Sequence, residues 1–172
     1  NGILYNEAKG DSLLHEEKFA ALTDLLEDLQ SSPLLCAVSF LSEVRALQTR
    51  FPNTPYLGGG VPDRLAEKYI RDWNEGKLPL LLVHPTSVAH DLNLQHAANH
   101  VCWFGLTWNL EEYDQLVRRI WRQGQKHKVI VHHIIGKDTM DEVVLKALKG
   151  KDHSQRGLLK TLKEYAEARA TA

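Results

Sequence analysis

Two spacings of apolar residues alternate along the chain. From Ser12 to Gln30, Leu13, Leu14, Phe19, Leu22, Leu25, Leu26 and Leu29 recur at steps of three and four, which predicts an amphipathic helix stopped by Ser31-Ser32-Pro33. Leu34 to Phe40 is a continuous apolar run, the pattern of a strand buried on both faces. Ser42 is placed to cap a helix running to Phe51, with Glu43 in its first turn. Thr54 to Leu57 reads as a second short strand ending at Gly58-Gly59-Gly60, and Pro62-Asp63 opens a helix that keeps its period through Leu65, Ala66, Tyr69, Ile70 and Trp73 to Gly76. Leu78 to His84 predicts a third strand, and Pro85 to Gln95 a polar turn leading into a short helix. His100 to Phe104 predicts a fourth strand, Leu110 to Gln123 a helix, and Val129 to Ile135 a fifth strand rich in β-branched residues. Thr139-Met-Asp-Glu142 fits a capping box for a helix ending near Gly150, and Ser154 to Ala170 a last helix.

Strands separated by helices imply parallel βαβ units with right-handed crossovers. The expected fold is therefore α/β, a doubly wound parallel sheet of about five or six strands with helices on both faces and functional loops at the carboxyl ends of the strands. The expected organisation is one domain over 1–172: a leading helix and linker at 1–32, the core at 33–150 and a carboxy-terminal helix at 151–172. At 172 residues, 43% hydrophobic and 25% charged, the chain is long enough for one sizeable core.

Composition narrows the function classes. A formal charge of -1 and a pI near 6.8 give no global polyanion signature, so nucleic acid would have to be met by a local patch. Two basic runs exist, Arg118 to Lys128 and Lys146 to Lys163; the second reads as a solvated face. Cys36 and Cys102 lie in apolar runs and read as buried thiols of a reducing compartment, with nothing in their spacing that requires a disulfide. No apolar run has the length of a membrane span, and the amino terminus lacks a basic start leading into an apolar core. The expectation is a cytoplasmic protein, nucleoid-associated if bacterial or phage and nuclear if eukaryotic. The chain begins at Asn1 rather than Met, which fits a piece of a longer protein.

Several chemistries are excluded by what their motifs require. Gly76-Lys77, Gly136-Lys137 and Gly150-Lys151 lack the other parts of a phosphate loop, G-x-x-x-x-G-K-[ST]. Gly58-Gly59-Gly60 has Asp63 where a dinucleotide fingerprint needs its third glycine. Asp141-Glu142 stands at a helix start, where capping accounts for it better than magnesium binding. His96 and His100 have zinc-protease spacing, but Ala97 replaces the general-base glutamate, and His84, His90, His96 and His100 read as structural or solvent-facing, so no metal site is expected.

The remaining polar constellation is Gln115-x-x-x-Arg119-x-x-Arg122-x-Gly124-Gln125. Arginines three residues apart share a helical face and present permanently charged forks suited to phosphate oxygens. Gln115 lies on the same face, and Gly124 is expected to end the helix. Residue chemistry alone leaves two readings open, a phosphate sensor at the rim of the sheet or a solvated basic helix end.

The order of segments is more specific than any one of them. Ser39-Phe40, Gly58-Gly59-Gly60 with Arg64, His84-Pro-Thr-Ser-Val-Ala-His-Asp-Leu-Asn-Leu-Gln95, Trp108-Asn109 and the Gln115 to Gln125 motif together resemble the carboxy-terminal RecA-like motor domain of the Swi/Snf-type family of superfamily II helicase-like ATPases. The resemblance covers roughly residues 34–148, and its last motif matches in register. It implies the second half of an ATP-driven translocase on double-stranded DNA, with ATP shared across a cleft with an amino-terminal RecA-like domain of the same protein. That domain would supply the phosphate loop and the acids that hold Mg2+, leaving this chain inactive alone. Arg122 matches the arginine finger and Arg119 its partner; Gln115 matches a residue linking nucleotide state to closure, and Gly124 completes the nucleotide set. Thr86, Ser87, Asn93 and Gln95 match the segment that touches DNA backbone and the interdomain cleft, and Gly59, Gly60 and Arg64 a further backbone-contacting region. Trp108-Asn109 matches a dipeptide with a positional role.

One departure concerns the turn where the family commonly has two glycines around one residue; here Ala89 and Asp91 flank His90. Alanine resists positive φ and aspartate repels phosphate, which would weaken DNA affinity or coupling, unless Asp91 turns aside to cap the following segment. The other readings kept open are a helicase-like domain without motor function, serving as a binding or scaffold module, and an RNA helicase of the same superfamily.

Overall fold

The computed structural model of the chain describes residues 3–6, 10–13, 16–88, 92–149 and the single residues 160 and 163. Its centre is a five-stranded parallel sheet preceded by an antiparallel hairpin. The hairpin strands are β1 (Ile3–Asn6) and β2 (Gly10–Leu13), and the helices and strands that follow are α1 (Glu17–Asp28), β3 (Leu34–Ala37), α2 (Leu41–Arg50), β4 (Tyr56–Leu57), α3 (Asp63–Asn74), β5 (Leu80–Val83), β6 (His100–Trp103), α4 (Leu110–Ile120), β7 (Ile130–His133) and α5 (Met140–Lys149). The sheet order is β4-β5-β3-β6-β7, with Cys36 of the central strand beside Leu82 on one flank and Cys102 on the other.

The apolar runs are continuous because both faces of these strands are covered. Leu35, Leu81, Val101 and Trp103 face a layer containing Trp73 of α3, Leu116 and Ile120 of α4 and Val144 of α5. Leu34, Cys36, Leu82 and Cys102 face the opposite layer, which holds Phe19 and Leu22 of α1 and Val44 and Leu47 of α2. Each fully buried side chain of this kind contributes roughly 2 kcal/mol of apolar transfer, so the sheet is a rigid frame for the loops. Cys36 and Cys102 are buried free thiols; the hydrogen bond between them and burial push the Cys36 thiol well above its usual pKa. Among the described residues no helix is long and apolar enough to cross a membrane.

The five predicted strands are present, with shorter limits, and four element assignments need correction. The leading helix begins at Glu17, whereas Ser12 and Leu13 pair with Leu4 and Ile3 in the hairpin. Leu13 fits a helical period, but backbone pairing with a segment ten residues away takes precedence. Ser42 is not the cap of α2; the buried Glu43 carboxylate accepts from the backbone N–H groups of Ser39 at 2.8 Å and Phe40 at 3.1 Å. Burial raises the Glu43 pKa despite those bonds. The segment after β5 is a 3-10 turn over Pro85–Val88 followed at residues 92–99 by irregular chain rather than a short helix; Ala89, His90 and Asp91, with the departures from the family's turn, lie outside the described residues. Finally, α4 stops at Ile120 instead of Gln123.

At the start of α5, the Thr139 hydroxyl accepts from Asp141 N at 3.2 Å and donates to Gly136 O at 2.7 Å, as a cap should. The return bond runs from Gly136 N to the Asp141 carboxylate at 3.0 Å rather than to Glu142. Asp141 also holds Lys18 of α1 at 2.5 Å, tying the first turn of α1 to the first turn of α5. The predicted last helix lies outside the described residues apart from Lys160 and Lys163, which are helical and exposed.

Candidate functional site

A helix joining parallel strands has to run back against them. Accordingly α4 starts beyond the carboxyl end of β6, and its last turn reaches the amino ends of β6 and β7. The arginine segment therefore lies at the sheet edge opposite the one where functional loops are expected. Asn109 starts α4, its side-chain oxygen accepting from Glu111 N at 3.0 Å and Glu112 N at 3.4 Å, so half of the Trp108-Asn109 dipeptide is a helix cap. Leu116 and Ile120 anchor the helix in the core, which leaves Arg118 exposed and Arg119 half-buried. Gln115 donates to the Glu111 carboxylate at 3.0 Å along the same face.

Arg122 lies beyond the helix end, so the two arginines do not form the clamp on one helical face that their spacing predicts. The chain turns instead, with Gln125 N donating to Arg122 O at 3.0 Å and Gly124 at φ +100°. The third position of such a turn favours a residue without Cβ, so Gly124 shapes the turn rather than ending the helix. Three tertiary bonds hold it. Arg122 Nη1 donates to Asn93 Oδ1 at 2.8 Å, and Gln125 Nε2 donates to the carbonyl oxygens of Gln95 and Ala98 at 3.0 and 2.8 Å.

The segment carrying Asn93 and Gln95 is itself fixed, with Trp73 Nε1 donating to Leu94 O at 3.0 Å and Asn74 to Asn93 O at 2.8 Å. Asn93 is exposed, whereas Gln95 is only 7% exposed and presents no side chain to the surface. Thr86 and Ser87 are exposed on the 3-10 turn, which packs against α4, and the Thr86 hydroxyl is 2.7 Å from His84 Nδ1. Gly59, Gly60 and Arg64 are exposed after β4, with Gly60 at φ +85°, a backbone that only glycine adopts without strain. The predicted residues thus fall into two groups. Arg122, Gly124, Asn93 and Gln95 come together near the amino ends of the strands, with Gln115 and Arg119 earlier on α4, while Gly59, Gly60, Arg64, Thr86 and Ser87 follow the carboxyl ends of β4 and β5.

Sequence reasoning gave Gln125 no contact and Trp121 no role. Trp121 is 68% exposed directly beside Arg122, although its spacing from Val117 continues the apolar stripe of the helix, so local pattern gave no signal of its exposure. The histidines paired across β6 and β7 were also not foreseen. His96 is exposed in a turn, while His100 Nδ1 is 3.0 Å from His132 Nε2 with the rings stacked. His133 Nε2 is 2.8 Å from the Tyr113 hydroxyl. Burial, then Lys149, then His132 bring the His133 pKa down from 6.5 to about 4, and burial lowers His100 and His132 in the same direction.

A histidine held neutral in the fold but protonated when unfolded stabilises the fold fully above the unfolded pKa, and this contribution is lost as pH falls through the folded pKa. Stability to urea should therefore fall between pH 6.5 and about pH 4, and His133→Gln should flatten that slope in part, leaving the share of His100 and His132. An unchanged slope in the variant would contradict the assignment.

The helicase conserved C-terminal domain family matches residues 17–124. "Putative protein p41" of Acyrthosiphon pisum secondary endosymbiont phage 1 is 32% identical over 169 residues, covering 95% of this chain and 35% of that protein. YqhH of Bacillus subtilis, described as an uncharacterized ATP-dependent helicase, is 30% identical over 106 residues, covering 62% of this chain and 18% of that protein. Among solved structures, the C-terminal part of the Fun30 ATPase domain aligns with a TM-score of 0.67 at 19% identity, over 92% of this chain and 54% of that one; at that identity the likeness speaks to the fold alone. The chain thus spans about a third or less of the length of these two relatives.

Proposed function

Because this chain belongs to the helicase conserved C-terminal domain family, we propose that it is the second motor domain of a Swi/Snf-type ATPase translocating on double-stranded DNA. ATP is shared with an amino-terminal RecA-like domain of the same protein, which carries the phosphate loop and the acids that hold Mg2+. When bound, ATP supplies a γ-phosphoryl group whose charge spreads over its oxygens as the bond to it breaks. Arg122 meets that charge as the finger and Arg119 supports it, while Gln115 links nucleotide state to closure of the cleft.

The observation that carries this reading is the 2.8 Å bond from Arg122 to Asn93. A neutral amide fixes the guanidinium without cancelling its charge, which suits a group waiting for phosphate. The same bond joins the arginine turn to the segment that carries Thr86 and Ser87 at its start, so nucleotide and DNA contacts share one piece of chain. Thr86, Ser87, Gly59, Gly60 and Arg64 take the DNA backbone, since hydroxyls, backbone amides and a single arginine hold phosphates without reading bases. Asn93 and the buried Gln95 serve the interdomain cleft.

The test is ATP turnover by a protein carrying both motor domains, with duplex DNA, single-stranded DNA or RNA added. This reading expects stimulation mainly by duplex DNA. Stimulation mainly by RNA would point to an RNA helicase of the same superfamily. Absence of turnover with every nucleic acid would favour the scaffold reading, for which the residues Ala89 and Asp91 speak.

A further inference from the structure

Trp121 is the most exposed large hydrophobic side chain among the described residues, at 68%, and it is held rather than loose. Its backbone N–H donates to Val117 O at 2.8 Å, and the residue before it, Ile120, is fully buried. The indole borders a shallow depression of about 330 Å³ that it shares with Arg122, Gln125 and Lys128, with Val129 and Val131 among the apolar lining. The other exposed tryptophan, Trp108, follows the carboxyl end of β6 on the far edge of the sheet.

An exposed aromatic face beside aliphatic side chains suits a flat heterocycle, and two cations at the same rim suit phosphate. We propose that Trp121 is a stacking platform for the purine base of the nucleotide whose phosphate Arg122 meets, so that this domain contributes to base recognition as well as to phosphoryl transfer. Consecutive residues give the two side chains one fixed origin, and both open on the same depression, which lets a single nucleotide engage them together. The inference rests on the reading of Arg122 given above. Base–aromatic stacking depends on the area of the π-face, so a purine gains more from the indole than a pyrimidine does.

The experiment uses a protein carrying both motor domains and measures KM for ATP and for UTP in the wild type, Trp121→Ala and Trp121→Phe, with Arg122→Ala alongside. The expected result is a rise of roughly tenfold in KM for ATP in Trp121→Ala, a clearly smaller rise for UTP, and recovery of most of the loss in Trp121→Phe. Equal rises for the two nucleotides would make Trp121 a packing contact between domains and overturn the proposal, as would unchanged KM values or a change confined to activation by nucleic acid. Persistent turnover in Arg122→Ala would overturn the reading of the arginine and the stacking with it. An inactive Arg122→Ala beside a base-independent Trp121→Ala would overturn the stacking alone.

Discussion

Arg122→Ala in a protein carrying both motor domains should lower ATP turnover about a thousand-fold or more while leaving the affinity for ATP within a few-fold of wild type. The asymmetry follows from where the charge develops. On the proposed reading, a phosphate loop and Mg2+ in the amino-terminal domain would carry most of the ground-state binding, whereas the equatorial oxygens would gain their need for a cation as the bond to the γ-phosphoryl group breaks. Arg122 suits this role because it lies outside the helix, on a turn fixed by Gly124, with Asn93 as a neutral restraint. Arg122→Lys should recover little, since an ammonium cannot reproduce the planar fork that both Asn93 and phosphate oxygens accept from. Phosphate-release kinetics and equilibrium nucleotide binding separate the two effects. Equal losses in both would make Arg122 a ground-state ligand and nothing more.

Asp141→Ala should destabilise the fold by about 3 to 5 kcal/mol, the cost of breaking a buried ion pair by removing one partner. Lys18 is only 5% exposed in its side chain and Asp141 19%, and their 2.5 Å contact joins α1 to α5 across the carboxyl edge of the sheet. Lys18 also donates to Phe104 O at 3.3 Å, and Asp141 accepts from Gly136 N, so the loss reaches the end of β6 and the start of α5 together. The double variant Lys18→Met with Asp141→Leu should recover part of the loss, because removing both charges also removes their desolvation penalty, while the buried Glu43, which Lys18 helps to keep ionised, loses that cation. Urea midpoints at pH 7 measure both. A single-variant loss under about 1 kcal/mol would place the pair in the surface class and contradict its buried character.

The strands were legible because parallel strands covered on both faces need uninterrupted apolar runs, and Leu34 to Phe40 and Leu78 to His84 are such runs. Their order in the sheet was not, since β3 and β6 are joined through register, not through any local pattern. Leu13 and Gln123 show how local periodicity fails at element ends. Leu13 continues a helical step but is claimed by Ile3, and the chain after Ile120 keeps helix-forming residues but is drawn off by contacts with Asn93, Gln95 and Ala98. The arginine segment stood out because Gln115 to Gln125 matches the family motif in register, whereas its residue chemistry alone left a phosphate sensor and a solvated helix end both open. Its placement was not legible, because the decisive partner of Arg122 lies 29 residues earlier and that of Lys18 lies 123 residues later. Asn109 caps α4, a role its residue type suits, whereas the sequence reading gave the Trp108-Asn109 dipeptide only a positional one.

On the proposed reading this domain holds half of an ATP site. The most direct measurement is ATP turnover by residues 1–172 alone, beside a protein that carries both motor domains, each with saturating duplex DNA. The prediction is negligible turnover by 1–172 and DNA-stimulated turnover by the two-domain protein. Robust DNA-stimulated hydrolysis by residues 1–172 alone would contradict a site divided between two domains.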